Sequence, residues 1–201
     1  MNKTKIQLSA EEMKLVQKAD WILTKNRVIE KVYELFGELA AGMQSYIAAH
    51  ANELPGNVVA STPKISRGEQ YEGLPYVMLD YPRCFGKEET IAVRTLFWWG
   101  NYFSSTLHVK GETRNRILIN RQKSIISGNS NIRVSDIGDE WSHNIRSGNY
   151  ISSREWLSKE ASFDNENAFL KLTIKHPLQE WSTAIVFLNR YFEQWMELIK
   201  T

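Results

Sequence analysis

The sequence predicts an α+β domain in which an antiparallel β-sheet packs against N-terminal helices and a C-terminal amphipathic helix. Three observations predict it. Apolar residues recur with helical spacing at both ends of the chain. Between them, short β-rich runs punctuated by Gly, Pro and Asn follow one another. Those runs have no helical segments between them, as a parallel doubly wound sheet would require. The 201 residues suffice for one domain spanning 1–201, with neither repeats nor low-complexity segments.

The first helix begins at Ser9-Ala-Glu-Glu12, which fits a capping box. Leu15, Val16, Ala19, Ile22 and Leu23 form its stripe. From Val28 a second stripe runs through Ile29, Val32, Phe36, Leu39, Ala40, Met43 and Ile47. It is rotated by roughly 130° from the first, which predicts a break near Thr24 to Arg27. Leu54-Pro55-Gly56-Asn57 supplies the stop.

Strands are expected at Lys64–Arg67, Tyr76–Tyr81, Ile91–Trp99 and Tyr102–Lys110. Gly100-Asn101 reads as a two-residue type II′ hairpin, pairing Trp99 with Tyr102 and Val93 with His108. Residues 112–127 fit a helix or a further hairpin, and a helix ending near Gly128 is favoured. A strand over Asn131–Ser135 and a helix over Ser153–Lys159 follow. Phe169–Lys175 alternates as a strand with Phe169, Lys171, Thr173 and Lys175 on one side. The last helix carries Trp181, Ala184, Ile185, Leu188, Tyr191, Phe192, Trp195 and Ile199 on one stripe, with Pro177 at its start.

A net charge of +2 gives no whole-chain footprint for nucleic acid. The local cluster Lys110, Arg114, Arg116, Arg121 and Lys123 reads as a solvated helix face. A single cysteine, Cys84, excludes an internal disulfide and a Cys-based zinc site. No run approaches the roughly 20 apolar residues of a membrane helix. MNKTKIQLSAEEMK lacks the apolar region of a signal peptide, so a cytoplasmic protein is expected.

Phosphate loop, dinucleotide fingerprint, nucleophile elbow and His-Glu-x-x-His are all missing. Enzyme and non-enzyme readings both stay open. In the predicted register, one hairpin face carries Ala92, Arg94, Leu96, Trp98, Phe103, Leu107 and Val109 and is the better core candidate. The other carries Trp99, Tyr102, Thr106 and His108 among Thr, Ser and apolar neighbours. That mixture suits either a ligand pocket or a half-solvated sheet. Arg67, Asp80 and Arg83 join the candidate ligand-binding set, since the arginine forks suit carboxylate or phosphate. The alternative is internal pairing of Arg67 or Arg83 with Glu69 or Asp80. His108, His143 and Asp80 have the ligand types of a two-His, one-carboxylate centre. No spacing brings them together, and neither metal nor cofactor is assigned.

SRGEQYEGLPYVMLDYPRCF, RTLFWWGNYFSSTLHVKG and DEWSHNIRSGNY, within residues 63–150, together resemble an uncharacterised family of small bacterial proteins of unknown function. The resemblance implies a bacterial, cytoplasmic, single-domain protein and brings no activity, cofactor or site residue. The leading expectation is a domain that binds a small molecule or a protein partner on the mixed sheet face. The alternative is an enzyme using His108 with Asp80 or His143, with or without a metal. A homodimer using exposed aromatics such as Trp21 is the third expectation.

Overall fold

The computed structural model describes residues 6–119, 129–158 and 169–201. Helix α1 (Ala10–Val16) starts at Ser9, with the expected capping box formed in both directions. Helix α2 is one run from Ala19 to Ala49, so the break falls at Gln17–Lys18 and not near Thr24–Arg27. The apolar stripe shifts because residues 19–24 have no sheet beneath them, the first tie to β1 being Lys25 on Glu69. Burial begins only at Ile29 and continues through the predicted positions to Ile47. A short helix α3 (Gly56–Val59) follows the turn.

Strands β1 (Lys64–Tyr71), β2 (Leu74–Phe85), β3 (Thr90–Trp98) and β4 (Tyr102–Lys110) form the expected antiparallel meander. Helix α4 covers Glu112–Ile119; the rest of the helix expected up to Gly128 lies outside the described residues. Strands β5 (Arg133–Ser135) and β6 (Ile151–Ser152), helix α5 (Ser153–Ser158) and strand β7 (Phe169–Pro177) come next. The closing stripe begins as a 3-10 helix over Leu178–Thr183 and becomes α-helix α6 (Ala184–Ile199). The sheet order is β1-β2-β3-β4-β7-β5-β6, with every pair antiparallel. β7 crosses back to pair with β4, which puts the C-terminal third against the meander. Among the described residues no helix is long and apolar enough to cross a membrane.

The two faces of the sheet differ in chemistry. Val77, Leu79, Val93, Phe97, Phe103, Leu107, Leu172 and Ile174 face α2 and α6 and share one core with Phe36, Met43, Leu188 and Trp195. Trp195 Nε1–H donates to Ser105 Oγ at 2.9 Å, which satisfies the indole in that core.

The hairpin register differs from expectation. Trp98 pairs with Tyr102, so the turn holds three residues, Trp99-Gly100-Asn101. Asn101 N–H donates to the Trp98 carbonyl, and Gly100 at φ 70° takes the third turn position, which requires positive φ. One extra loop residue slides β4 by one place against β3, and a one-residue slip exchanges the faces of every side chain. Phe103, Leu107 and Val109 therefore join the helix-side core with Val93 and Phe97. Tyr102, Thr106 and His108 stand beside Ala92, Arg94, Leu96 and Trp98 on the opposite face.

Candidate functional site

On that second face the registers build two cross-strand rows. Asp80 of β2, Arg94 of β3, Thr106 of β4 and Thr173 of β7 form one. Ala92, His108 and Lys171 form the next. Cross-strand neighbours stand about 5 Å apart, close enough to pair across the ladder. Arg94 meets Asp80 in a bidentate fork, Nε to Oδ1 at 2.6 Å and Nη2 to Oδ2 at 2.9 Å. Thr106 and Thr173 share a hydroxyl hydrogen bond at 3.0 Å.

Residues 136–150, between β5 and β6, lie across this face as a strap. Irregular backbone laid over a sheet needs partners for its polar groups, and side chains from the sheet and its own flank provide them. Lys171 Nζ donates to the carbonyls of Glu140 and Ser142. Tyr150 Oη–H donates to the Ser142 carbonyl at 3.0 Å. Tyr71 Oη accepts from His143 N–H at 2.8 Å. Tyr102 Oη–H donates to the His143 carbonyl at 3.2 Å and accepts from Ile145 N–H at 3.1 Å.

His143 thus hangs from the strap onto the sheet, and its Nε2 lies 2.7 Å from Arg94 Nη1. Arginine has no acceptor, so His143 Nε2 accepts and the imidazole is neutral, with its proton on Nδ1. Burial, then the charges of Lys171 and Arg94, hold its pKa well below the ordinary value, consistent with that tautomer.

His108 has no such lock. It is only 5 % exposed, and its Nε2 has no hydrogen-bond partner. The nearest carboxylate oxygen is Glu140 Oε2 at 3.6 Å, beyond hydrogen-bond length. Burial, then Lys171, Arg94 and Lys110, lower its pKa to about 3, so it too is neutral at physiological pH. Burial also lowers Lys171 to about 8; the residue is fully buried, and its ammonium stands 5.3 Å from the Tyr150 ring centroid.

Arg94, Thr106, His108, His143 and Lys171 line a narrow crevice with Phe85 and Ala92, whose free volume of about 10 Å³ is room for about one water until a side chain at its mouth moves. Ala92, the small member of its row, leaves the gap. The Phe85 and Trp141 rings stand 5.9 Å apart, and both are substantially exposed. Half-buried Arg94 and fully buried Lys171 face the carboxylates of Asp80 and Glu140, and an imidazole nitrogen is left unsatisfied.

The sequence candidates divide. Asp80, Tyr102, Thr106 and His108 come together here, with His143. Trp99 does not: it sits in the three-residue turn and packs edge-on to Phe97 on the helix side. Arg67 faces the helices from edge strand β1, its guanidinium 5.7 Å from the Tyr33 ring centroid, in a polar groove with Lys25 and Glu69. Arg83 follows a register shift in β2 that contains the cis Tyr81–Pro82 peptide. It points outward, and its Nε donates to the Thr62 carbonyl at 3.0 Å. Neither arginine pairs with the carboxylates weighed for it: Asp80 binds Arg94, and Glu69 binds Lys25 at 2.9 Å. The metal grouping does not assemble either. Among the described residues no three His, Cys, Asp or Glu side chains gather as a metal site, and both Asp80 oxygens hold Arg94. Burial raises the Cys84 thiol pKa, and its Sγ–H donates to the Asn57 carbonyl, so neighbouring Arg83 does not activate it.

Arg94, Lys171, Tyr71, Tyr150 and Glu140 escaped sequence reasoning as site residues. For two of them a signal exists. Arg94 interrupts Ile-Ala-Val-Arg-Thr-Leu-Phe-Trp, and Lys171 interrupts Phe-Leu-Lys-Leu-Thr-Ile. A charge inside a strand apolar on both sides is buried, and a buried charge needs a partner.

Fold and site together define an α+β antiparallel-sheet protein with one apolar helix-covered face and one face carrying a buried polar cluster. Set against protein-family models, curated proteins and solved structures, the chain has no match.

Proposed function

We propose that this chain is a binding domain for a small organic anion, whose acid group enters the crevice between Phe85 and Trp141 and takes the seat facing His108, Arg94 and Lys171. The observation that carries the reading is the buried, unpartnered His108 Nε2 beside buried Lys171 and half-buried Arg94. A buried polar atom without a partner costs about 1–3 kcal/mol, and an incoming hydrogen-bonding group would recover it. The Glu140 carboxylate stands near this seat without closing a hydrogen bond. A ligand carboxylate would displace it outward and accept from Lys171 and from a protonated His108, the rims of Phe85 and Trp141 covering the ligand's apolar part.

The test is a thermal-shift and calorimetric comparison of small carboxylates with their neutral amides at constant ionic strength. Carboxylates should raise Tm and amides should not, because only an acid that displaces Glu140 can pair with Lys171 and a protonated His108. His108→Asn should remove the carboxylate effect while the protein stays folded. Equal shifts with acids and amides, or shifts that persist in His108→Asn, would refute this location.

A second reading, an enzyme using His108 for proton transfer, is favoured by the convergence of His108, His143 and Asp80. His143 is occupied by Arg94, so His108 would be the base, and a pKa of about 3 suits that role only once a bound anion raises it. Chemical change in a bound carboxylate, followed by NMR and lost in His108→Asn, would select this reading over simple binding.

A further inference from the structure

The N-terminal arm is the largest feature that neither the core nor the crevice uses. Helix α1 has no buried residue, and α2 buries nothing before Ile29. At 1.5 Å per residue, Ala19–Thr24 overhang the sheet by about 9 Å. The arm is nevertheless apolar. Leu8, Leu15, Val16, Trp21, Ile22 and Leu23 are all half or more exposed or nearly so. Because α2 is unbroken, Trp21 and Ile22 lie within about 60° of the centre of its buried stripe. The face that packs on the sheet farther along is bare here. Monomers seldom leave so many large apolar side chains exposed along one segment.

The order of charges along the arm says what fits it. Acidic Glu11 lies one turn before Leu15, and basic Arg27 lies one turn after Leu23. Aligned antiparallel about a two-fold axis at Ala19, the arm matches itself: Leu15 meets Leu23, Val16 meets Ile22, Lys18 meets Asp20 and Glu11 meets Arg27. A parallel alignment would set like charges together. The local ties of these side chains leave the pairing open, since Arg27 donates only to Thr24 within the arm and Lys25 anchors the base of the overhang to Glu69 on β1. We infer that residues 6–27 form an isologous dimer interface with a second copy of this chain, α1 of each copy covering the first turns of α2 of the other.

Sedimentation velocity across a concentration series of the full chain tests this. The wild type should be a dimer. Leu15→Asp with Ile22→Asp should weaken it by at least about 100-fold, because the apolar centre of an interface carries most of its energy. Far-ultraviolet CD and Tm should show the domain still folded, since neither residue touches the core. Glu11→Arg alone should weaken the dimer, and Glu11→Arg with Arg27→Glu should restore it, which a merely folded arm would not do. A monomer at every concentration overturns the inference, including one that binds vesicles of anionic lipid through the arm. So does a dimer indifferent to Leu15→Asp with Ile22→Asp, or a double charge swap that fails to restore what the single swap lost.

Discussion

Acidification should destabilise this fold before any carboxylate is protonated, and His108 sets the size of the effect. In the unfolded chain its pKa is about 6.5; in the folded chain burial and neighbouring cations lower it to about 3. The unfolded chain therefore takes up a proton that the folded chain refuses. Stability present above pH 6.5 is lost as the pH falls toward 3, at up to about 1.4 kcal/mol per pH unit. Between about pH 7 and pH 5 the loss from His108 integrates to roughly 2 kcal/mol. His143 acts in the same direction, since protonation would turn its Nε2 from an acceptor into a donor aimed at Arg94. Glu12 and Glu197, whose pKa values lie below the ordinary carboxylate value, contribute only at lower pH. Urea unfolding at a series of pH values, with a constant m-value as the check on two-state behaviour, reads the slope directly. His108→Gln should remove the first part of it. His143→Gln, which keeps an acceptor for Arg94, should remove the second. A wild-type stability that is flat from pH 6.5 to 5, or a slope that survives both substitutions, would refute the assignment of these histidines as buried and neutral.

Asp80→Asn removes the anionic half of the fork that neutralises buried Arg94. It should cost about 3–5 kcal/mol in urea unfolding, and Asp80→Asn with Arg94→Met should recover part of that loss. Lys171→Met preserves side-chain length but removes the donor to the Glu140 and Ser142 carbonyls. Amide hydrogen exchange should accelerate in residues 139–145 and not in α2 or α6. The same variant should abolish a gain in stability between about pH 8 and 10. In that window folded Lys171, lowered to about 8, has released a proton that the unfolded chain still binds.

Wherever one periodicity dominates, the sequence foretells the architecture. The stripe from Ile29 to Ile47 and the stripe of α6 each bury one helix face on the sheet, and the meander strands differ from expectation mainly at their ends. The missed features depend on contacts distant in sequence. No local signal tells that residues 19–24 overhang the sheet, because their apolar spacing is that of any packed helix. Nor does one place the strap: Tyr71, Tyr102 and Tyr150 are ordinary strand-flanking residues until residues 136–150 lie across them. Of the candidate site, Asp80, Thr106 and His108 were legible from residue type, whereas Arg67, Arg83 and Trp99 shared the type and lacked the position.

The turn at Trp99-Gly100-Asn101 decides what those residues can do. With the two-residue turn that Gly100-Asn101 suggests, Thr106 and His108 would face α2 and α6, and Phe103, Leu107 and Val109 would stand beside Arg94. Arg94 would then stand opposite Leu107, and the Asp80–Arg94 row would lose Thr106. The third turn residue aligns the alternation of β4 with that of β3, so that apolar side chains share one face and polar side chains the other. Burying Lys171, His108 and Arg94 under a strap stabilises less than an apolar layer would. That cost is tolerable only because the helix-covered face already holds an uninterrupted core from Val77 to Trp195. Register thus separates the two tasks of the sheet, the apolar face holding the fold and the polar face keeping an unsatisfied imidazole beside two cations.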